Sequence, residues 1–95
     1  MRVEVMEMAK AEKRWYIRVR KVNEYRAVEG TVTAESPYEA FLRFVRRKGI
    51  WPKGAGAHME HFPGGDTYWV YPTWRVGNAK SLGDRYVARI EEVQG

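Results

Sequence analysis

The fold is decided by the segment SPYEAFLRFVRRKG at residues 36–49, because it carries the start, face and stop signals of one α-helix. Ser36 is a favourable N-cap, Pro37 suits the first helical position, and Glu39 completes a capping box. Apolar residues then recur at helical spacing and give one packing face, made of Tyr38, Phe41, Leu42 and Val45. Gly49 suits the left-handed position that ends a helix. We therefore predict one amphipathic helix over residues 37–48.

The residues before this helix have the period-two pattern of β-strands. Residues 13–22 alternate between an inward set, Trp15, Ile17 and Val19, and an outward set, Arg14, Tyr16, Arg18 and Arg20. Asn23 and Glu24 predict a two-residue hairpin turn. The turn leads into a second strand over residues 25–34, in which Val28, Gly30 and Val32 share a face. At the N-terminus, residues 3–5 favour a short strand followed by a turn, with Met8 as an alternative start of the core.

The residues after the helix contain two predicted loops and two predicted strands. Residues 50–66 are predicted as a long Gly/Pro loop, and residues 77–84 as a second loop. Residues 67–71 have strand character, and we expect Pro72 either to end this strand or to move it to a sheet edge. Residues 73–76 are a candidate continuation, and residues 85–93 are predicted as the last strand.

This order of elements, β(β)βαββ, predicts a single α+β domain over residues 1–95. We expect a small antiparallel sheet of about four to five strands with the helix packed on one face. The elements are too few for a doubly wound α/β fold. If the helix packs on the face that bears Trp15, Ile17 and Val19, the other face of the sheet stays open unless a partner chain covers it.

The composition excludes several classes of protein. The absence of cysteine excludes disulfide scaffolds, thiol enzymes, iron–sulfur proteins and Cys-ligated zinc modules. No stretch approaches the roughly 20 apolar residues of a membrane span, and acidic residues interrupt the N-terminus where a signal peptide has an apolar run. We therefore expect a cytoplasmic protein without membrane contact. Few Asn and Gln beside abundant Arg and Glu give a thermophile-like composition.

The positive charge is concentrated in one part of the chain. The whole sequence has 17 basic and 12 acidic residues, a net charge of +5, whereas residues 13–53 alone hold eleven basic and four acidic residues, a net of +7. Such an excess is compatible with nucleic acid, an anionic surface or an acidic protein as partner. It falls into two groups of side chains, the strand set Arg14, Tyr16, Arg18 and Arg20 and the helix set Arg43, Arg46, Arg47 and Lys48.

Each basic set has a functional and a structural interpretation. The strand set offers a ring on which bases can stack and guanidinium groups for phosphates, yet it also resembles the ordinary polar face of a strand. The helix set offers further phosphate contacts, yet cations in a last turn also offset the helix dipole, and Glu39 can pair with Arg43. The predicted helix position places the two sets on opposite sides of the sheet.

Aromatic residues crowd residues 51–74 and suggest a second kind of partner. Tyr and Trp are enriched at protein-binding hot spots, and the candidate partner-binding residues are Trp51, Trp69, Tyr71 and Trp74. The alternative is that these rings fill the core of a small domain.

No residue pattern predicts catalysis. His58 and His61, with Asp66, form the only metal-like spacing, and its weakness leads us to predict neither a bound metal nor a cofactor. No nucleophile elbow or catalytic triad has a recognisable context. We therefore predict a basic, non-enzymatic binding protein, with DNA or RNA as its partner. The alternative is a protein–protein interaction module, either a homodimer or an inhibitor or accessory factor of a larger complex.

Overall fold

The computed structural model of the chain describes residues 12–76 and 79–93. Its elements in chain order are β1 (Lys13–Lys21), β2 (Ala27–Ala34), α1 (Pro37–Lys48), β3 (Gly56–His61), β4 (Thr67–Val76), β5 (Ala79–Leu82) and β6 (Tyr86–Glu92). The strand predicted at residues 3–5, and Met8 as an alternative start of the core, lie outside the described residues.

The strands form one antiparallel sheet in the order β2-β1-β6-β4-β3. The short strand β5 pairs with the C-terminal part of β4. This open five-strand path with one helix on one face confirms the predicted α+β class. The pairing of β1 with β6 joins the two ends of the chain, so the first and last described strands lie side by side at the centre of the sheet.

The helix has the ends that the sequence predicts. The Ser36 hydroxyl accepts a hydrogen bond from the Glu39 N–H at 3.2 Å, and the Glu39 carboxylate accepts one from the Glu35 N–H at 3.0 Å. Gly49 adopts a φ of 72° and donates its N–H to Arg46. A left-handed φ is inexpensive only for glycine, so α1 ends at this residue.

The core lies between α1 and the sheet. Phe41, Phe44 and Val45 of the helix are fully buried against Ile17 and its neighbours on β1 and β6. The inward set predicted on β1 is confirmed, since Trp15, Ile17 and Val19 are all buried. The other side of the sheet therefore remains without a covering element among the described residues.

The predicted loops are wrong where β3 and β5 form. Residues 56–61 form β3 inside the segment predicted as a continuous loop over 50–66, and residues 79–82 form β5 inside the loop predicted over 77–84. The glycines before and after β3 are typical of a loop, and for that reason the strand was not predicted. Its alternation is short, with Ala57 and Met59 facing the helix side. Both short strands exist because β4 offers them an edge to pair with, which is a tertiary effect.

Pro72 neither ends β4 nor lies at a sheet edge, so this prediction is also wrong. On one side β4 pairs with β3 along the whole of β3. On the other side its neighbour changes from β6 at residues 67–70 to β5 at residues 73–76. Pro72 lies at that change of neighbour, where its missing N–H interrupts no continuous ladder. Its carbonyl accepts the N–H of Gly83 at 2.8 Å.

The connection between β1 and β2 is longer than the predicted two-residue turn. The last register pair is Arg20 with Ala27, and residues 22–26 make the connection. No described residue other than glycine has a positive φ, so Asn23 does not adopt the left-handed conformation of a tight hairpin. The Arg20 side chain instead binds the loop by donating to the carbonyls of Val22 at 3.1 Å and Glu24 at 2.9 Å.

Candidate functional site

The side of the sheet opposite α1, called the open face below, collects basic and aromatic side chains from four segments. Strand alternation places every second residue of each strand on this face. Its basic and aromatic members include Arg14, Tyr16, Arg18, Arg20, His58, Trp69, Tyr71, Arg85 and Arg89. The whole predicted strand set therefore lies on the uncovered face, in one row along β1.

Three arginines of the open face surround a shallow cavity of about 230 Å³. Arg18 and Arg89 are directly opposed across β1 and β6, and Arg20 follows two residues along β1. The rest of the lining is small or uncharged, with Ala27 and Val87 among it. Like charges directly opposite one another destabilise a sheet. An anion bound between these guanidinium groups would offset that repulsion.

Tyr16 is fixed in place beside these arginines. Its hydroxyl donates a short hydrogen bond of 2.5 Å to the carboxylate of Glu29 on the neighbouring strand. This bond raises the pKa of Tyr16 above 10.0, with a smaller contribution from burial, while the charges of Arg18 and Arg89 act in the opposite direction. The phenol is therefore neutral at physiological pH, and its ring is oriented before any ligand binds.

A second aromatic group lies on the same face on β4. The guanidinium of Arg85 lies 4.4 Å from the ring centroid of Trp69, and Phe62 contacts that ring edge-on at 5.2 Å. Tyr71 lies 5.9 Å from the ring of His58 on β3. The cation over Trp69 presents a flat charged surface on which a planar, electron-rich ligand can stack.

Carboxylates neutralise only part of the open face. Glu91 forms an ion pair with Arg89, and Glu60 lies 3.2 Å from the imidazole of His58. Arg18 faces Glu29 across β1 and β2, and that carboxylate, which also accepts the Tyr16 hydroxyl, offsets part of its charge. Counting the residues that the structure describes, the lining of the cavity itself contains three arginines and no carboxylate. The centre of the face therefore remains basic.

The helix set has a different environment from the strand set. Arg43 donates to the carbonyl of Thr33 at 2.7 Å, and Arg47 donates to the carbonyl of Thr31 at 2.9 Å. Arg46 donates to the carbonyl of Ala55 at 3.2 Å. These bonds attach α1 to the outer edge of β2 and to the loop after the helix.

The fourth member of the helix set, Lys48, lies with its ammonium 5.8 Å from the ring centroid of Phe44. The helix set is thus on the layer opposite the open face, and the structure does not bring the two basic sets together. The predicted ion pair between Glu39 and Arg43 is present at 3.6 Å, and Glu12 adds a second carboxylate to Arg43 at 3.1 Å.

The four candidate partner-binding aromatics are also divided between the two faces. Trp51 is buried, donates its indole N–H to the carbonyl of Gly56 and packs edge-on against Phe41 at 5.0 Å. Trp74 packs against the core on the helix side. Trp69 and Tyr71 lie on the open face. Trp51 and Trp74 therefore belong to the core, as the alternative interpretation predicted. The rings of Trp69 and Tyr71 lie on the same face as the arginines.

His58 and His61 do not face one another. They lie three residues apart on β3, and strand alternation directs them to opposite faces of the sheet. His61 stacks on Tyr68 at 4.5 Å on the helix side. No group of three His, Asp or Glu side chains with metal-site geometry occurs within residues 12–76 and 79–93.

Arg85 and Arg89 were not among the site residues predicted from the sequence. The signal was present in the last strand, where Arg85, Val87, Arg89 and Glu91 occupy alternate positions. Only the pairing of β6 with β1 shows that these positions adjoin the strand set.

Comparisons with protein-family models, with curated proteins and with solved structures find no match to this chain. Within the described part of the chain, no helix has the length and apolar character needed to cross a membrane.

Proposed function

We propose that the protein binds single-stranded nucleic acid across the open face. The observation that supports this most strongly is the cavity between Arg18, Arg20 and Arg89, next to aromatic rings on the one sheet face that no described element covers. Guanidinium groups hold phosphates through charge-assisted hydrogen bonds. Exposed rings on an antiparallel sheet stack unpaired bases.

The two kinds of contact are suitably spaced for one strand. The phosphate contacts are centred on β1 and β6, and the rings lie on β1 and β4, two strand positions apart. Neighbouring strands are about 4.8 Å apart, and Trp69 is level with Arg20, four residues along the strand from Tyr16, so the two residues are separated by roughly 16 Å on the sheet. Phosphates would bind between the rings, where the arginines are, and bases would stack on either side.

A single strand fits this face better than a duplex. The major groove of B-DNA is about 12 Å wide and admits a helix or a two-stranded ribbon. A face of five strands is roughly 20 Å wide and cannot enter it. Three of the four cations of the helix set, which would have offered a second row of phosphate contacts, donate hydrogen bonds to backbone carbonyls instead.

The experiment is fluorescence anisotropy with labelled single-stranded DNA, single-stranded RNA and duplex DNA at two salt concentrations. We expect single strands to bind more tightly than duplex, with a salt slope near −0.7 for each phosphate contacted. The test variant is Arg18→Gln/Arg89→Gln. The matched control is Lys48→Gln/Lys53→Gln, which removes the same charge from exposed residues away from the open face.

The test variant should lower affinity by about tenfold or more and reduce the salt slope, because it removes two phosphate contacts. The control should lower affinity only slightly. Equal losses in both variants, with folding verified by circular dichroism, would show diffuse electrostatic attraction and reject the open face as the site. Absence of binding at low salt would reject the function itself.

A further inference from the structure

Among the described residues, the outer strand β3 leaves a row of backbone groups without partners. In the part of the chain that the structure describes, β3 is the last strand on its side of the sheet and pairs with β4. The Phe62 N–H donates to the Thr67 carbonyl at 3.0 Å, so the backbone groups of Phe62 point to β4. In an antiparallel pair every second residue points to the same neighbour, and residues 58 and 60 therefore also direct their N–H and C=O groups to β4. The N–H and C=O groups of Ala57, Met59 and His61 therefore point away from the sheet.

The opposite edge of the sheet is partly covered. On β2 the carbonyls of Thr31 and Thr33 accept hydrogen bonds from Arg47 and Arg43 of the helix. Side chains that cover an edge are a common protection against unwanted strand pairing. Within residues 12–76 and 79–93, no side chain occupies the backbone groups of Ala57, Met59 and His61 in this way.

We propose that two copies of this chain associate through β3, edge to edge and antiparallel, in a register centred on Met59. The Met59 residues of the two copies would oppose each other across a two-fold axis, and Ala57 would oppose His61 of the second copy. The three facing pairs, residues 57 with 61, 59 with 59 and 61 with 57, all have backbone groups that point towards the second copy. Each pair exchanges two N–H···O bonds, so about six form. A symmetric contact of this kind is closed and ends at a dimer.

The side chains select this register. With the centre at Met59, His58 lies opposite Glu60 of the second copy on the open face, and Glu60 lies opposite its His58. A shift of the centre by one residue either way keeps the hydrogen-bond alternation but places His58 against His58 or Glu60 against Glu60. His58 and Glu60 already contact one another at 3.2 Å within one chain, so the two groups are oriented on the same surface.

The helix side of β3 adds apolar surface beside the same edge. Ala57, Met59 and Tyr68 line a cavity of about 370 Å³ with Tyr38 of α1, whose side chain is 46% exposed. Pairing at β3 would cover part of this surface with Met59 of the second copy. It would also join two open faces into one continuous sheet surface, with the Trp69 and Tyr71 rings of both copies toward its middle.

Sedimentation equilibrium of the full chain tests association directly. We expect a mass twice the 11.1 kDa of one chain at micromolar concentration. His58→Glu places a carboxylate opposite Glu60 at two symmetric positions, and should weaken the dimer by roughly tenfold. The exchanged variant His58→Glu/Glu60→His again places an imidazole opposite each carboxylate and should restore the dimer. A monomeric wild-type protein, or a dimer that His58→Glu leaves unchanged, would overturn the proposal.

Disulfide trapping tests the register. The chain has no cysteine, so an equimolar mixture of the single variants His58→Cys and Glu60→Cys contains one thiol per chain. Oxidation should link mainly unlike chains, because residues 58 and 60 of different copies are directly opposed and like residues are not. A statistical distribution of like and unlike pairs by mass spectrometry would overturn the register. The arginines of the open face lie outside β3, so loss of nucleic-acid binding and loss of dimerisation are separable.

Discussion

The bond from Arg47 to the edge of β2 is the best place to test whether the helix arginines hold the fold together. We consider Arg47→Met, which keeps an unbranched side chain of high helix propensity and removes the donor. The lost contact is the 2.9 Å hydrogen bond from the guanidinium to the Thr31 carbonyl. The methionine stem can still cover the ring of Phe44, over which the guanidinium lies at 5.9 Å.

The expected loss follows from the exposure of this bond. A hydrogen bond from a charged donor contributes about 1.5–3 kcal/mol when well shielded, and an exposed one contributes less because water replaces it. We therefore expect the free energy of unfolding to fall by about 1 kcal/mol. With a urea slope of about 2 kcal/mol/M for a chain of this size, the unfolding midpoint should fall by roughly 0.5 M.

The neighbouring residue provides the control. Lys48→Met removes the same charge from the same last turn of α1, so both variants lose the same favourable interaction with the helix dipole. The measurement is urea unfolding followed by circular dichroism, with light scattering on the folded proteins. Arg47→Met should be the less stable variant and the more prone to associate, because it uncovers the β2 edge. Equal midpoints and equal scattering in the two variants would refute a role in edge protection.

Three further variants test the fold and the site. Gly30→Ala should destabilise the protein by about 1–2 kcal/mol in urea unfolding, because the added Cβ would lie 3.0 Å from a ring carbon of the buried Phe44; an unchanged midpoint would contradict this packing. Ser36→Ala should cost about 1 kcal/mol and lower Tm by roughly 4–8 °C through loss of the helix cap, and a smaller change would show that the cap is dispensable. The hydrogen bond to Glu29 is the main cause of the raised pKa of Tyr16 in the folded protein. This bond stabilises the fold fully below pH 10.0, and the stabilisation is lost as the pH rises through the raised pKa of the folded state. Glu29→Gln should therefore lower the pKa of Tyr16 towards its ordinary value. In a pH titration, phenolate absorbance should then appear at lower pH than in the wild-type protein, and this change should be absent when Tyr16→Phe is added.

Local signals predicted the helix and the first hairpin strands because their causes are local. The N-cap at Ser36 and the left-handed stop at Gly49 depend on residues within one turn of each helix end. The alternation of Trp15, Ile17 and Val19 depends only on which face is buried. These features need no knowledge of the neighbouring strands, and the structure has each of them.

The remaining elements depend on partners distant in the sequence. β3 is a six-residue strand in a glycine-rich region and forms on the edge that β4 provides. Pro72 is compatible with the interior of β4 only because the strand paired with β4 on that side changes at this residue, from β6 before it to β5 after it. Neither fact can be read from a period-two pattern, and for the same reason Arg89 was not recognised as the neighbour of Arg18.

The distribution of cations gives the strongest physical reason to favour the open face over the helix as the ligand site. An arginine that donates to a backbone carbonyl must give up that bond before it can hold a phosphate, and three of the four cations of the helix set are in this state. On the open face, Arg18 and Arg89 oppose one another, so the unliganded protein bears a repulsion that an anion would remove. Binding at the helix would therefore break three bonds to backbone carbonyls, whereas an anion between Arg18 and Arg89 would relieve their repulsion and compete with a single ion pair, the one from Arg89 to Glu91. The net charge of +5 does not distinguish these cases, and the hydrogen-bond partners of the guanidinium groups do. Arg20 resembles the helix set because it donates to the carbonyls of Val22 and Glu24, which leaves Arg18 and Arg89 as the proposed phosphate contacts.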